Sequence, residues 1–138
     1  MLKYYSKIEK EKLIFCLLRY SQITEYRTDL SPEEEFMQVS GRKIKKGIIV
    51  EAHRHLEIKR KTNLTQEAWV ILEGKVKATF YDLDNSKLCE KIVEKGDVVV
   101  LFRGGHSMEV LEEDTCFYEF KNGPYYGLKI DKEKIDEK

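Results

Sequence analysis

The stretch "EAWVILEGKVKATFYDL", residues 67–83, decides the fold class. Glu67 to Leu72 is a short apolar run, and Glu73-Gly74 breaks it with a turn. Beyond the turn Val76, Ala78 and Phe80 alternate with Lys75, Lys77 and Thr79. A period of two is that of a strand with one face buried and one in water. Working outward, "DLDNSK" reads as a hairpin turn into "LCEKIV". "EKGD" then precedes "VVVLF" (Val98 to Phe102), a fully apolar run expected to be buried on both faces. "MEVLEE" and "CFYEF" follow. Upstream, "FMQVSGRKI" (Phe36 to Ile44) and "IIVEAHRH" (Ile48 to His55) flank "KKG" and read as two more strands. About seven to nine short strands with regular turn signals predict an all-β sandwich or barrel. "LSPEEEF" (Leu30 to Phe36) can open one helical turn, with Pro32 at its start. The lysine-rich tail "DKEKIDEK" reads as a solvated or frayed end.

At 138 residues, with no internal repeat and no linker, the chain reads as one domain, 1–138. Lys plus Arg and Asp plus Glu number 25 each, so net charge gives no pull toward nucleic acid or a membrane surface. Charged residues at 36% describe a solvated surface, while 41% apolar residues suffice for a core. Cys16, Cys89 and Cys116 are odd in number and far apart, which disfavours a disulfide framework and a thiolate zinc site. Each reads as a small buried hydrophobe in a cytoplasmic protein. "LIFCLL" (Leu13 to Leu18) is too short to span a bilayer and reads as a core strand or short helix.

The chain has only three histidines, and "EAHRHLE" (residues 51–57) holds two of them. On a strand, i and i+2 share a face, so His53 and His55 project together while Arg54 points away. Two imidazoles can grip one metal ion but need a third and usually a fourth ligand. The alternative is a pair of ordinary surface histidines near a strand end.

The neighbours of that pair carry a resemblance. Gly47, His53, His55, Glu67 and Gly74 spell G-x5-H-x-H…E-x6-G, and "GDVVVLFRGGH" supplies Gly96, Gly104 and His106. The two patterns resemble the paired signatures of the cupin superfamily, in particular its small single-domain bacterial members. The likeness covers residues 41–120, and all three histidines fall at ligand positions. It implies a double-stranded β-helix, or jelly-roll barrel, preceded by an extension over residues 1–35. It also implies one divalent transition metal (Fe, Mn, Ni, Cu or Zn) held by His53, His55, Glu67 and His106, with a position open to water or substrate. The chain departs from the pattern in four places. Eleven residues separate His55 from Glu67, which leaves Glu57 as the alternative carboxylate. The second motif is one residue short, Phe102 replaces its proline, and Val110 stands where asparagine is common.

Other residues bear on a ligand. Lys59, Arg60 and Lys61 stand together in the insertion and could hold a carboxylate, phosphate or nucleotide-sugar; the alternative is a solvated loop. Trp69 shares a strand face with Glu67 and could wall a pocket against a sugar ring, or else belong to the core. Met108, two residues from His106, invites the same two readings. Glu119 is the candidate acid or base. The expected function is that of a metal-dependent small-molecule enzyme or binder. Its ligand would be anionic and carbohydrate-derived, and its chemistry isomerase-, epimerase- or dioxygenase-like. A non-catalytic metal-containing binding module is the alternative, and whether the protein is an enzyme stays open. No nucleic-acid or membrane partner is expected. Finally, the apolar "LIFCLLRY" reads as an edge element, which predicts a twofold homodimer that covers it.

Overall fold

The computed structural model describes residues 1–136. Within them the elements run β1 (Leu2–Tyr5), β2 (Leu13–Leu18), β3 (Thr28–Asp29), β4 (Ser40–Gly41), β5 (Glu67–Glu73), β6 (Lys75–Tyr81), β7 (Lys87–Glu94), β8 (Val98–Leu101), β9 (Gly105–Val110), β10 (Cys116–Lys121) and the short helix α1 (Leu128–Asp131). A five-stranded sheet has the order β1-β2-β8-β5-β10, a three-stranded sheet β7-β6-β9, and β3 pairs with β4. Every pairing is antiparallel, so the fold is nearly all-β.

The stretch 67–83 forms β5 and β6 as its pattern predicts, and Gly74 carries the chain from one sheet to the other. Its φ of +79° lies in the left-handed region, and a Cβ there would stand 2.8 Å from the Thr115 Cα. Only glycine fits both the backbone and the space. Trp69 and Ile71 from β5, Val76, Ala78 and Phe80 from β6, and Phe15, Leu17 and Val99 then fill the gap between the sheets. The opposite face of the five-stranded sheet carries Cys16, Leu18, Ala68, Val100 and Phe102, capped by Leu30, Ile23, Met37 and Val39.

That second apolar layer explains the position of β2. Its six residues are buried on both faces, and it lies between β1 and β8 rather than at an edge. A strand covered on both sides has to be apolar throughout. Each such side chain, once buried, contributes about 1.5–3 kcal/mol. The edge falls to β1, and the feature that argued for a dimer through Leu13–Tyr20 is taken up inside the chain. β8 is buried on both faces as expected.

Two expected strands are not formed. Of Phe36 to Ile44, only Ser40 and Gly41 pair, against Thr28 and Asp29. Ile48 to His55 belongs to an arm, residues 42–65, exposed along its whole length and without strand pairing. A strand exists only where a second backbone edge takes up its N–H and C=O groups. The arm is tied only near its ends, Lys43 N donating to Glu25 O at 3.2 Å and Asn122 Nδ2 to Leu64 O at 3.0 Å, and Ile48 to His55 meets no such edge among the described residues. Near residue 32 the chain makes one turn, Glu35 N donating to Pro32 O at 3.1 Å, while the Ser31 hydroxyl accepts from Val39 N. In the tail Lys132, Glu133, Lys134 and Asp136 are exposed as expected, while Ile135 is half-buried beside Gly105 of β9; Glu137 and Lys138 lie outside the described residues. No helix among the described residues is long and apolar enough to cross a membrane.

Candidate functional site

A cavity of about 920 Å³ opens where β5, β9 and β10 meet, walled on its far side by the tail from Leu128 to Asp136. Register places its floor. Glu67 pairs across the ladder with Lys121, and Trp69 with Glu119, so these four side chains share the inner face. His106 reaches the same floor from β9 in the other sheet, where it pairs with Phe80.

Glu67 is the centre of the cluster. Although only 5% exposed, it is fully partnered. The Trp69 indole N–H donates to its Oε1, and His106 Nε2 stands 3.6 Å from that same oxygen. Lys121 Nζ lies 3.3 Å from Oε2 and 2.7 Å from Glu119 Oε1. The Trp69 ring meets the His106 ring edge-on, centroids 5.0 Å apart.

Burial pushes the His106 pKa below its ordinary value, and the Glu67 charge only partly opposes it, so the imidazole is neutral at pH 7. Glu119 is also shifted. Burial raises its pKa, but hydrogen bonds with Lys121 and Glu67 and the charges of Lys121 and Lys132 outweigh this and hold it below the usual carboxylate range. Lys121 loses to burial yet ends above the usual lysine range, through its bond to Glu119 and the charge of Glu67. The floor is an ionic lattice with one neutral imidazole in it.

Arg103 at the rim is committed elsewhere. It donates to Glu35 at 2.7 Å and to Leu13 O, and Gln66 also binds Glu35, at 2.6 Å. Lys121 stands on the floor itself, and Lys132 and Lys134 line the wall formed by the tail. The sequence pattern assigns Lys121 no role, although alternation from Glu119 places it on the same face.

The structure brings Glu67, Trp69, His106 and Glu119 together. Trp69 is core, 1% exposed, and holds Glu67 rather than walling the cavity. Met108 packs half-buried against the inter-sheet cluster and borders a neighbouring depression on the β6–β9 surface. His53 and His55 do stand side by side, ring centroids 5.6 Å apart, but on the exposed arm. Neither lines the cavity, and His53 Nδ1 is 2.8 Å from Glu51 O. Glu57, Lys59, Arg60 and Lys61 are exposed on the same arm. Among the described residues no group of three or more His, Cys, Asp and Glu is placed to hold a metal ion. Cys16 is buried as expected, whereas Cys89 is only half-buried and Cys116 is exposed.

Comparison with family models, with curated proteins and with solved structures finds no match.

Proposed function

We propose that the chain is a cupin-type jelly-roll barrel acting in the cytoplasm, a metal-dependent enzyme or binder of a small anionic ligand of the carbohydrate-derived kind. The observation that carries this reading is the buried carboxylate of Glu67 facing the imidazole of His106 on the floor of a cavity of about 920 Å³. A carboxylate oxygen and an unprotonated ring nitrogen are the donors a divalent transition metal takes. Trp69 orients one oxygen of that carboxylate, as a partner behind a ligand should. Glu67 and His106 support two of the four expected donors, while His53 and His55 stand on the exposed arm, outside the cavity of their own chain, and would have to be brought to it.

A bound metal would polarise a substrate carbonyl or generate a nucleophile from water. The protein's own groups divide the remaining work. Lys121 offers a positive charge to an anionic group of the ligand, at the cost of its bond to Glu119. Glu119, once released, is a carboxylate within the cavity able to accept a proton. The inter-sheet core closes the cavity behind Glu67.

The second reading, a non-catalytic metal-containing module, is favoured by the same Lys121 bridge, which ties Glu119 in an ion pair at 2.7 Å. Elemental analysis of untagged protein, then thermal-shift titration with Fe(II), Mn(II), Ni(II), Cu(II) and Zn(II), tests both. About one ion per chain is expected. Failure to take up any of the five would end both readings. Sugar phosphates and nucleotide-sugars added to the loaded protein then separate turnover from binding alone.

A further inference from the structure

We propose that residues 48–58 form an exchanged strand: the arm of one copy adds to the open edge of β9 in a second copy, and carries His53 and His55 to that copy's cavity.

The arm has the composition of a strand and the exposure of an unpaired one. Ile48 is 54% exposed, Ile49 85%, Val50 60%, Leu56 71% and Ile58 63%. So much aliphatic surface within eleven residues marks an interaction site rather than a solvated loop. If the arm is extended, Ile48, Val50, Ala52, Leu56 and Ile58 fall on one face and Ile49, His53 and His55 on the other.

The receiving edge is picked out by pairing and by charge. β9 pairs with β6 on one side, and no backbone hydrogen bond joins its other side to any described segment. Residues 42–61 carry eight Lys and Arg against two Glu, in a chain where the signs balance at 25 each, so the remainder holds six more acids than bases. β9 has Glu109 and no Lys or Arg, and the turn that follows it adds Glu112, Glu113 and Asp114. Of the other open edges, β1 carries Lys3, β7 mixes both signs, and β10 pairs Glu119 with Lys121. A basic arm therefore finds its complement at β9.

A second copy fits better than the arm's own body. Gly41 and Gln66, where the arm leaves and returns, are held against the five-stranded sheet, Gly41 beside Ile23 and Leu18 and Gln66 by Asn122 and Glu35. β9 belongs to the other sheet, and the arm makes no bond to it in its own chain. Exchange between two copies is reciprocal, closes with twofold symmetry, and buries both arms. His106 and Met108 lie on the inner face of β9, paired with core residues Phe80 and Ala78. An arm laid alongside β9 with its histidine face inward would set His53 and His55 about 4.5–5.5 Å from that row. The exchange stands on pairing and charge alone, while completion of a metal site rests on the function proposed above.

Light scattering on the full chain should give a dimer, and the double variant Ile49→Asp/Leu56→Asp should give a monomer. Its Trp69 fluorescence should be unchanged, because both positions are exposed within one chain. A full-length monomer at every concentration, or a folded variant that remains dimeric, overturns the exchange. The second experiment co-expresses His53→Ala/His55→Ala with Glu67→Gln/His106→Ala and counts bound cobalt per chain. Neither variant alone should hold it. The mixture should recover about one quarter of the wild-type amount, since random pairing makes half the dimers mixed and each mixed dimer holds one intact site. A cobalt-binding wild type with no recovery in the mixture overturns assembly in trans. A wild type that is dimeric through the arm but takes no cobalt leaves the exchange standing and removes the metal.

Discussion

Glu67 Oε1 and His106 Nε2 approach to 3.6 Å although they belong to different sheets. Glu67 lies on β5 and His106 on β9, thirty-nine residues on, and each is fixed by its own ladder. The contact is made at the end of the inter-sheet core, where the apolar layer of Trp69 and Phe80 gives way to the cavity. A carboxylate this buried needs a cation or a set of donors beside it. It has the Trp69 indole N–H, Lys121 Nζ and His106 Nε2.

If that carboxylate is a metal ligand, Glu67→Gln should weaken divalent-metal affinity by about tenfold or more, while Glu57→Gln should change it little. Competition against a chromophoric chelator measures both. The reverse ranking would assign the carboxylate ligand to the arm and leave Glu67 a purely structural ion pair.

Trp69→Phe tests the indole N–H as the group that orients Glu67. The substitution keeps an aromatic ring but leaves a small cavity and removes a donor to a buried carboxylate. Stability should fall by about 2–3 kcal/mol, read as a lower urea midpoint at unchanged slope. Unchanged stability together with lost ligand binding would restore Trp69 as a ligand-facing wall.

Asp82, fully buried, ties the N-terminal loop to the β6–β7 hairpin. It accepts from Lys7 N at 2.6 Å and from Leu83 N at 2.8 Å. Burial raises its pKa, but the bonds from Ser6, Lys7 and Leu83 win and hold it below 3.8. A folded pKa below the unfolded one means stability that is present above the unfolded value and is lost as pH falls through the folded one. Asp82→Asn should therefore cost about 1–2 kcal/mol at pH 7, and the difference from wild type should shrink as the pH drops below about 4. Urea titrations of both proteins across that window check it, and a constant difference would contradict it.

The cysteines should separate by burial. Cys116 is exposed and should react with a thiol reagent in the native protein. Burial pushes the Cys16 thiol up to about 11, so it should label only on unfolding. Peptide mapping after a brief pulse of iodoacetamide distinguishes them, and native labelling of Cys16 would show that the two-sided burial of β2 is wrong.

What the sequence determined by itself was local. The period-two pattern of 67–83, the glycine at 74 and the apolar run at 98–102 specified strands and turns, because alternation and a left-handed backbone are properties of a few adjacent residues. Alternation also placed Glu67 and Trp69 on one face. The burial of β2, by contrast, was settled by tertiary structure. A six-residue apolar run suits any two-sided position, and only the loop carrying Leu30, Met37 and Val39 makes the outer face dry. Lys121 joined the site through its register with Glu67, which no spacing rule contains. The arm shows the same division most sharply. Ile48 to His55 has the pattern of a strand, but pattern supplies only a face, and a strand also needs a backbone edge to receive it. Such an edge is a property of the folded molecule and of what it meets.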